Sequence, residues 1–445
     1  MRSSRPFELL PKIAFFVSLI VLGGTYGYLS HRHGWWPHSL VVQASLAWKQ
    51  VSTTLQGERE WYYLHSEETE RTRVIDAARI HPGPTLVAFV GDDNHQFVQI
   101  IDRDGAVLNE WRVDWFDLWP DSSHLDEEHR PKTLPGAIVH GVLLLKDGGL
   151  LVQHDACGLV RLDACGHVVW RLPLRTHHSL HLDERGHIWT SARYTRREAT
   201  PELPTYGPPF EEYTIVEITL AGEVVQETSL FDLARENDLL GLLHLSTWTD
   251  DSIETGRDTL HVNDVEPFPA DLTPGHFEPG DVIISFRRLN AVAVFHLPNR
   301  SLKHLSVGRY FRQHDPDFID GDTYSVFDNN PVWPRGRPGQ SRIVTVNAAT
   351  GERRTVFSGS AAVPFYTEFM GKHQWLPNGN LLLVESVHGR VLEVDENGQV
   401  VWQFVNVLRD GWLGAVAEGI RVPERFTAEF FRQRRADCSQ TVSNN

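Results

Sequence analysis

From about residue 74 onward, short runs of strand-forming apolar residues alternate with turn pairs that contain glycine. The segment His373–Asn406 shows this pattern most clearly, because the pairs Asn378-Gly379 and Asn397-Gly398 separate its apolar runs. An Asn-Gly pair between two alternating apolar runs is a strong short-range signal of a β-hairpin. The segment is therefore predicted to form a four-stranded antiparallel unit.

Units of this kind recur along the chain. The segment His140–Leu174 has the same order of apolar runs and turn pairs. About six units are present, and they begin near Val74, His140, His178, His261, Pro316 and His373. One four-stranded unit cannot bury both of its faces, so such repeats pack against one another around a ring. The sequence predicts an all-β fold, a six-bladed β-propeller over residues 74–414.

The N-terminal region has a different pattern. Arg2, Arg5 and Lys12 precede an apolar stretch from Ile13 to Leu29, which is near the minimum length for a membrane-spanning helix. We interpret residues 1–33 as a cytoplasmic tip and an uncleaved signal-anchor helix, which places the rest of the chain in the periplasm or outside the cell. A cleaved signal peptide is the alternative interpretation.

Two further segments flank the predicted propeller. Residues 34–73 are interpreted as a stalk next to the membrane, because apolar residues recur at helical spacing between Leu40 and Leu55. Residues 415–445 are predicted to form a C-terminal helix or tail.

Composition narrows the classes of function. The formal net charge of -16 argues against nucleic acid as a partner, because phosphate binding needs a basic surface. Cys157 and Cys165 are predicted to lie at the two ends of one strand, about 26 Å apart, which is too far for a disulfide. Cys438 stands alone in the tail. We therefore expect no structural disulfide.

A histidine recurs at or near the start of the repeated units. The recurring residues are His140, His178, His261, His314 and His373. Equivalent positions of successive blades face one central channel, so a ring can gather these imidazoles. A neutral imidazole is a competent nucleophile near pH 7. The pattern indicates a histidine-lined site on the axis of the propeller.

Several motifs resemble those of bacterial aryl-sulfate sulfotransferases. They are HHSLHL, HVNDVEPF, GDVIISFRRLNAVAVF, QHDPDFIDGDTYSVFDNN and KHQWLPNGNLLLVE, and the resemblance covers most of residues 74–406. Those enzymes are six-bladed propellers that work without 3′-phosphoadenosine 5′-phosphosulfate. The resemblance implies ping-pong transfer of a sulfuryl group from an aryl sulfate to a phenol through a sulfohistidine.

The same resemblance assigns catalytic roles. His314 falls at the position of the nucleophile, and His178 and His261 fall where the family holds sulfate oxygens. Arg287 falls at the position of the family's arginine, a residue whose planar fork can meet two oxygens of an anion. The remaining predicted substrate-binding residues are His177, which is the register alternative to His178, and Asn263, His140 and His373.

The expected partners are accordingly an aryl sulfate, a phenol and, through the N-terminal helix, a membrane. No cofactor is expected, since the chain has no glycine-rich loop of the kind that cradles phosphates. No metal ligand is assigned.

Two alternative functions remain open at this point. Asp315, Asp317, Asp320 and Asp322 form an oxygen-rich segment of the kind that holds a hard cation, which would suit a calcium-dependent propeller hydrolase. An exported propeller can also be a non-catalytic scaffold or binding protein. The three functions differ in which side chains must converge: the histidines with Arg287, the aspartates, or neither set.

Overall fold

The computed structural model describes residues 9–33, 35–37, 40–41, 60–201, 203, 206–245, 258–331 and 339–443. The chain divides into two compact units, Met1–Trp61 and Tyr62–Asn445. Helix α1 (Leu9–His33) is the main element of the first unit. Its segment Pro11–Ser30 is long and apolar enough to cross a membrane, so it is a candidate anchor or signal sequence. The amphipathic helix predicted between Leu40 and Leu55 lies largely outside the described residues.

Six antiparallel sheets form the blades of a β-propeller in the second unit, which confirms the predicted fold class. The strands that precede the blades are β1 (Tyr63–His65) and β2 (Thr72–Val74). Blade 1 contains β3 (Thr85–Val90), β4 (Gln96–Ile101) and β5 (Val107–Arg112). Blade 2 contains β6 (Val139–Leu144), β7 (Leu150–His154), β8 (Gly158–Leu162) and β9 (Val168–Leu172). Blade 3 contains β10 (Thr176–Leu182), β11 (Ile188–Arg196), β12 (Phe210–Ile218) and β13 (Val224–Ser229).

The remaining blades follow the same plan. Blade 4 contains β14 (Val262–Pro267), β15 (Asp281–Phe286), β16 (Ala291–His296) and β17 (Ser301–Val307). Blade 5 contains β18 (His314–Phe318), β19 (Thr323–Asp328), β20 (Arg342–Asn347) and β21 (Arg353–Phe357). Blade 6 contains β22 (Lys372–Trp375), β23 (Leu381–Glu385), β24 (Arg390–Val394) and β25 (Val400–Val405). The last strands are β26 (Trp412–Gly414) and β27 (Val416–Arg421). Among the described residues, the helices that follow α1 are α2 (Trp115–Leu118), α3 (Leu230–Glu236), α4 (Leu240–Leu243) and α5 (Ala428–Ser443).

The ring is closed by strands from its two ends. Strand β27 pairs with β3 and becomes the innermost strand of blade 1, with Val416 opposite Phe89 and Arg421 opposite Thr85. In blade 6, β2 pairs with β25 as the outermost strand. Strand β27 lies beyond the predicted propeller of residues 74–414, and β2 overlaps this range only at Val74. They are short and lack the glycine turn pairs that mark the other units, so the pairing becomes visible only in the closed ring.

The C-terminal segment contributes to the core of the ring. Phe426 and Phe431 are buried in the cluster that also contains Trp111, and the rings of Trp111 and Phe431 meet edge to face at 5.7 Å. Full burial of a large apolar side chain contributes about 1.5–3 kcal/mol each. The region predicted as a helix or tail is therefore in part a strand of blade 1 and in part a helix packed on the propeller.

The prediction that no structural disulfide is present is wrong, because Cys165 is disulfide-bonded. Cys157 is a buried free thiol, in keeping with the argument that these two residues are too far apart to pair. The Sγ atom of Cys165 lies 3.8 Å from the backbone oxygen of Arg434 in α5. Helix α5 thus returns to this turn of blade 2, a contact between distant parts of the chain that local spacing does not predict. The side chain of Cys438 lies outside the described residues.

Candidate active site

The innermost strands of four blades bring five imidazoles together, and we call this group the histidine layer. Its members are His140 on β6, His177 and His178 on β10, His261 just before β14, and His314 on β18. The ring of His178 is at the centre of the group. It stacks on His140 at a centroid distance of 4.4 Å, meets His177 at 4.2 Å and His314 at 5.8 Å, and its Nε2 atom is 3.2 Å from Nε2 of His261.

A second group of ionisable side chains lies further along the same inner strands, and we call it the charged layer. Its members are His181, Asp264, Glu266, Asp315, Asp317, Lys372, His373 and Glu418. Three pairs of residues spaced three apart place one member in each layer: His178 and His181, His261 and Asp264, His314 and Asp317. In a regular strand, residues three apart face opposite sides. A register shift near the start of each of β10, β14 and β18 allows the two residues of a pair to face the same side of the strand.

Two aspartates fix the orientation of the imidazoles. The Nδ1 atom of His261 lies 2.6 Å from Oδ2 of Asp258, whose Oδ1 atom accepts hydrogen bonds from the hydroxyl of Tyr213 and the backbone N–H of His261. The Nδ1 atom of His177 lies 2.5 Å from Oδ1 of Asp155. Each carboxylate accepts a hydrogen bond from Nδ1–H, which leaves the Nε2 atoms of both rings for other partners. In the neutral ring of His177, this Nε2 atom carries a lone pair. Sequence reasoning missed both aspartates, although the spacing of Asp258 three residues before His261 is a usable signal.

His314 is held by an amide. Its Nδ1 atom is 2.7 Å from Oδ1 of Asn329, and the Nδ2 atom of Asn329 donates to the backbone oxygens of Thr367 and Met370. These two donations fix which end of the amide faces the ring, so Nδ1 of His314 carries the proton and Nε2 presents a lone pair. Asn329 was not predicted as a site residue, although it belongs to the FDN motif that follows His314.

Arg287 lies in a short turn after β15, and its backbone N–H donates to the backbone oxygen of His261. Burial, Arg312 and Arg288 lower the pKa of Arg287 to about 10, so it is still positively charged at pH 7. Burial and the nearby Arg287 charge in turn hold the pKa of His314 well below its usual range. The alternative arginine, Arg288, has 52% of its side chain exposed.

The pKa values of three other imidazoles of the layer, those of His140, His177 and His178, are also lowered. Burial lowers the pKa of His177 to about 3 and the pKa of His140 below its ordinary value. Burial and the surrounding histidines place the pKa of His178 well below its ordinary value. A second arginine that sequence reasoning missed, Arg193 on β11, adds positive charge beside the layer. Burial alone would lower the pKa of Arg193, but Tyr213 and nearby carboxylates outweigh it and raise the pKa.

Asn263 lies between the two layers as a positioning residue. Its Nδ2 atom donates to the backbone oxygen of Gln313 at 2.8 Å, which fixes the residue that precedes His314. Its Oδ1 atom is buried and makes no hydrogen bond within the described part of the chain.

The structure does not bring His373 to the other predicted site residues. Its Nδ1 atom is 2.9 Å from Oδ2 of Asp315, its Nε2 atom is 2.7 Å from Oγ of Ser325, and its side chain is fully buried. Strand β22, which carries His373, also lacks the register shift found near the starts of β10, β14 and β18. Both ring nitrogens are therefore occupied within the charged layer.

The charged layer is held by ion pairs. The Nε2 atom of His181 is 2.8 Å from Oδ1 of Asp264, and Nζ of Lys372 is 3.1 Å from a carboxylate oxygen of Glu418. Burial alone would lower the pKa of His181, but Asp264 raises it to about 9. Burial raises the pKa of Glu266 to about 8. This layer therefore retains protons that the histidine layer excludes.

The four aspartates of the calcium hypothesis do not converge. Asp315 and Asp317 belong to the charged layer, whereas Asp320 and Asp322 accept backbone hydrogen bonds in a turn, from Asp322 N–H and His276 N–H respectively. Among the described residues near the axis, two groups of side chains could each hold a metal ion, because the donor atoms inside each group lie within 4.8 Å of one another. These groups are His177, His178 and His261, and Asp315, Asp317 and His373.

Taken together, the fold and the site define a class of six-bladed propeller with a buried, histidine-centred site on its axis. Residues 141–407 match the family model described as "Arylsulfotransferase (ASST)", and the chain belongs to this family. The resemblance stated from the sequence motifs is confirmed.

Similar solved structures share the fold alone. A protein of unknown function from Bacteroides caccae is 16% identical, with a TM-score of 0.45 over 73% of this chain and 94% of that chain. Virginiamycin B lyase from Staphylococcus aureus is 12% identical, with a TM-score of 0.33 over 59% and 69%. The WD40 propeller domain of Doa1 is 12% identical, with a TM-score of 0.39 over 80% and 93%. No curated protein matches the sequence.

Proposed function

We propose that this protein is an aryl sulfotransferase that moves a sulfuryl group from an aryl sulfate to a phenolic acceptor through a covalent intermediate on His314. The observation that carries the proposal is the state of His314. It is a neutral, 4% exposed imidazole whose Nδ1 atom is held by Asn329 and whose Nε2 lone pair is free to attack. Membership of the arylsulfotransferase family supports the same activity.

In the first half-reaction, the Nε2 lone pair of His314 attacks the sulfur of the aryl sulfate. The N–S bond forms as the bond from sulfur to the aryl oxygen breaks, and the electron pair leaves with the phenolate. Arg287 and Arg193 supply positive charge for the sulfuryl oxygens. A fixed donor of this kind contributes about 10²–10³ in rate.

A neighbouring histidine handles the proton. His261 suits this role because Asp258 orients its ring and stabilises the imidazolium when Nε2 carries a proton. In each turnover, His261 protonated at Nε2 gives this proton to the departing phenolate and then takes a proton back from the incoming phenol, so the proton count is restored. In the second half-reaction, the acceptor oxygen attacks sulfur, the N–S bond breaks and His314 returns to its neutral form.

The test is to incubate the full-length protein in detergent with 4-nitrophenyl sulfate, with and without excess phenol. We expect nitrophenol release that depends on the acceptor, and a mass increase of one sulfuryl group on a peptide containing His314 when phenol is omitted. His314→Ala should lose both signals. His167→Ala removes an exposed imidazole that is paired with Asp163, outside the axis, and should retain them. A covalent sulfuryl adduct that still forms in His314→Ala would overturn the proposal.

We further propose that α1 anchors the protein in a membrane with the propeller on the periplasmic side. Basic residues precede the apolar segment, which favours this orientation. The disulfide at Cys165 suits an oxidising compartment. Protease added to intact spheroplasts should digest the propeller, and protection until the membrane is opened would contradict the orientation.

A further inference from the structure

We infer that His177, His178 and His261 form a binding site for a divalent transition-metal ion of the Zn²⁺ class. Each of the three residues offers one ring nitrogen, and these nitrogens lie within 4.8 Å of one another. The binding claim stands apart from the proposed function. Only its consequence for activity rests on the proposed function, because the same imidazoles would hold the sulfuryl group.

The separation of the donor atoms suits tetrahedral coordination. Two nitrogens at Zn–N distances of about 2.0–2.1 Å are about 3.4 Å apart in a tetrahedral site. The Nε2 atoms of His178 and His261 are 3.2 Å apart, so a small movement of either ring would admit the ion. The Nε2 atom of His177 is buried and makes no hydrogen bond within the described part of the chain, which leaves its lone pair available.

The surroundings of the three imidazoles also suit a metal. Histidine ligands of metals commonly donate their second ring nitrogen to a carboxylate, which fixes the ring and makes it more basic. Asp155 holds Nδ1 of His177, and Asp258 holds Nδ1 of His261. Two carboxylates one imidazole away also balance the charge of a divalent ion.

The donor set selects the class of metal. Imidazole nitrogens suit Zn²⁺ and similar ions, whereas Ca²⁺ and Mg²⁺ take oxygen ligands. Three protein ligands leave the fourth tetrahedral position open for water or an anion. The ring of His314 lies in the same layer, 5.8 Å from that of His178.

The direct test measures binding of Zn²⁺ to the chelator-treated full-length protein by titration calorimetry. Co²⁺ absorption in the visible range reports tetrahedral nitrogen coordination. We expect one site that weakens at least tenfold in His177→Ala and about 10–100-fold in Asp258→Asn, which preserves the side-chain volume. His296→Ala is the matched control, because it disrupts another three-donor group, Glu278, Asp281 and His296, outside the histidine layer. It should leave the site unchanged.

Equal Zn²⁺ affinity in wild type, His177→Ala and Asp258→Asn would overturn the inference, as would the absence of tetrahedral Co²⁺ bands. If the inference and the proposed function both hold, Zn²⁺ inhibits sulfuryl transfer in competition with the aryl sulfate, and a chelator restores it. Zn²⁺ binding without any transfer activity supports the metal site and contradicts the proposed function. If the protein does not bind Zn²⁺ and its transfer activity is unaffected by Zn²⁺, the proposed function is supported and the metal site is contradicted.

Discussion

The histidine layer and the charged layer lie on the same inner strands, yet their surroundings favour opposite protonation states. In the histidine layer, burial and nearby positive charge lower the pKa values of His177, His178 and His314. In the charged layer, carboxylates pair with Lys372 and histidines, and protons are retained. The comparison shows that recurrence of a histidine at the start of a blade does not define its role. The neighbouring charges decide whether an imidazole is kept neutral or forms half of an ion pair.

The largest expected effect is the loss of the nucleophile. His314→Ala should lower kcat for 4-nitrophenyl sulfate by at least about 10³-fold, because removal of a covalent nucleophile leaves only binding and electrostatic catalysis. Steady-state release of nitrophenol measures this. A variant that keeps more than a tenth of wild-type kcat would place the chemistry elsewhere in the histidine layer.

Removal of the positive charge beside His314 is expected to have the next largest effect. Arg287→Ala should lower kcat by about 10²–10³-fold, since the sulfuryl oxygens lose a fixed cationic donor. Arg288→Ala is the matched control, because that side chain is half exposed, and it should stay within a few-fold of wild type. Equal losses in the two variants would show a general charge effect instead of a directed contact.

A variant in the charged layer should separate stability from activity. His373→Ala removes the imidazole donor to Asp315 but keeps the backbone N–H of residue 373 and the more distant Lys372, so the free energy of unfolding should fall by about 1–3 kcal/mol. Urea unfolding measures this change. The kcat/KM of the remaining folded protein should stay within about tenfold of wild type. His296→Ala should lower the free energy of unfolding by less, because the Asp281 carboxylate that loses His296 still pairs with Lys303. A loss of turnover as large as that of His314→Ala would assign His373 to the catalytic group.

The two layers should also respond to pH in opposite directions, which is the smallest effect. The pKa of His177 in the folded protein is about 3, below its ordinary 6.5, so the unfolded chain gains protons first and stability falls as the pH drops below about 6.5. The pKa values of His181 and Glu266 are raised to about 9 and about 8. Their contribution is therefore lost as the pH rises toward 8–9.

Urea midpoints measured from pH 5 to pH 9.5 test this difference. His178→Gln should flatten the acid side of the profile, and His181→Gln should flatten the alkaline side. A profile in which both variants change the same side would show that the layers do not titrate independently.

Several features could be predicted from residues alone. Hairpin pairs such as Asn378-Gly379 depend on local backbone geometry, so they are visible in sequence and gave the blade count. The motifs around His178, His261 and His314 gave the family and three members of the histidine layer. The closing strand β27 and the return of α5 to Cys165 were missed, because both depend on contacts between distant parts of the chain. Asp155 and Arg193 were missed for the same reason.

By itself, the sequence determined the repeated hairpins, the apolar N-terminal segment and the supply of imidazoles at the starts of blades, because these depend on local spacing and residue type. Only the tertiary structure decided which imidazoles meet. The register shifts in β10, β14 and β18 divide each inner strand between two layers, and their absence in β22 accompanies the separation of His373 from the others. Burial and charge then set each protonation state, and both depend on groups that are brought together only when the ring closes.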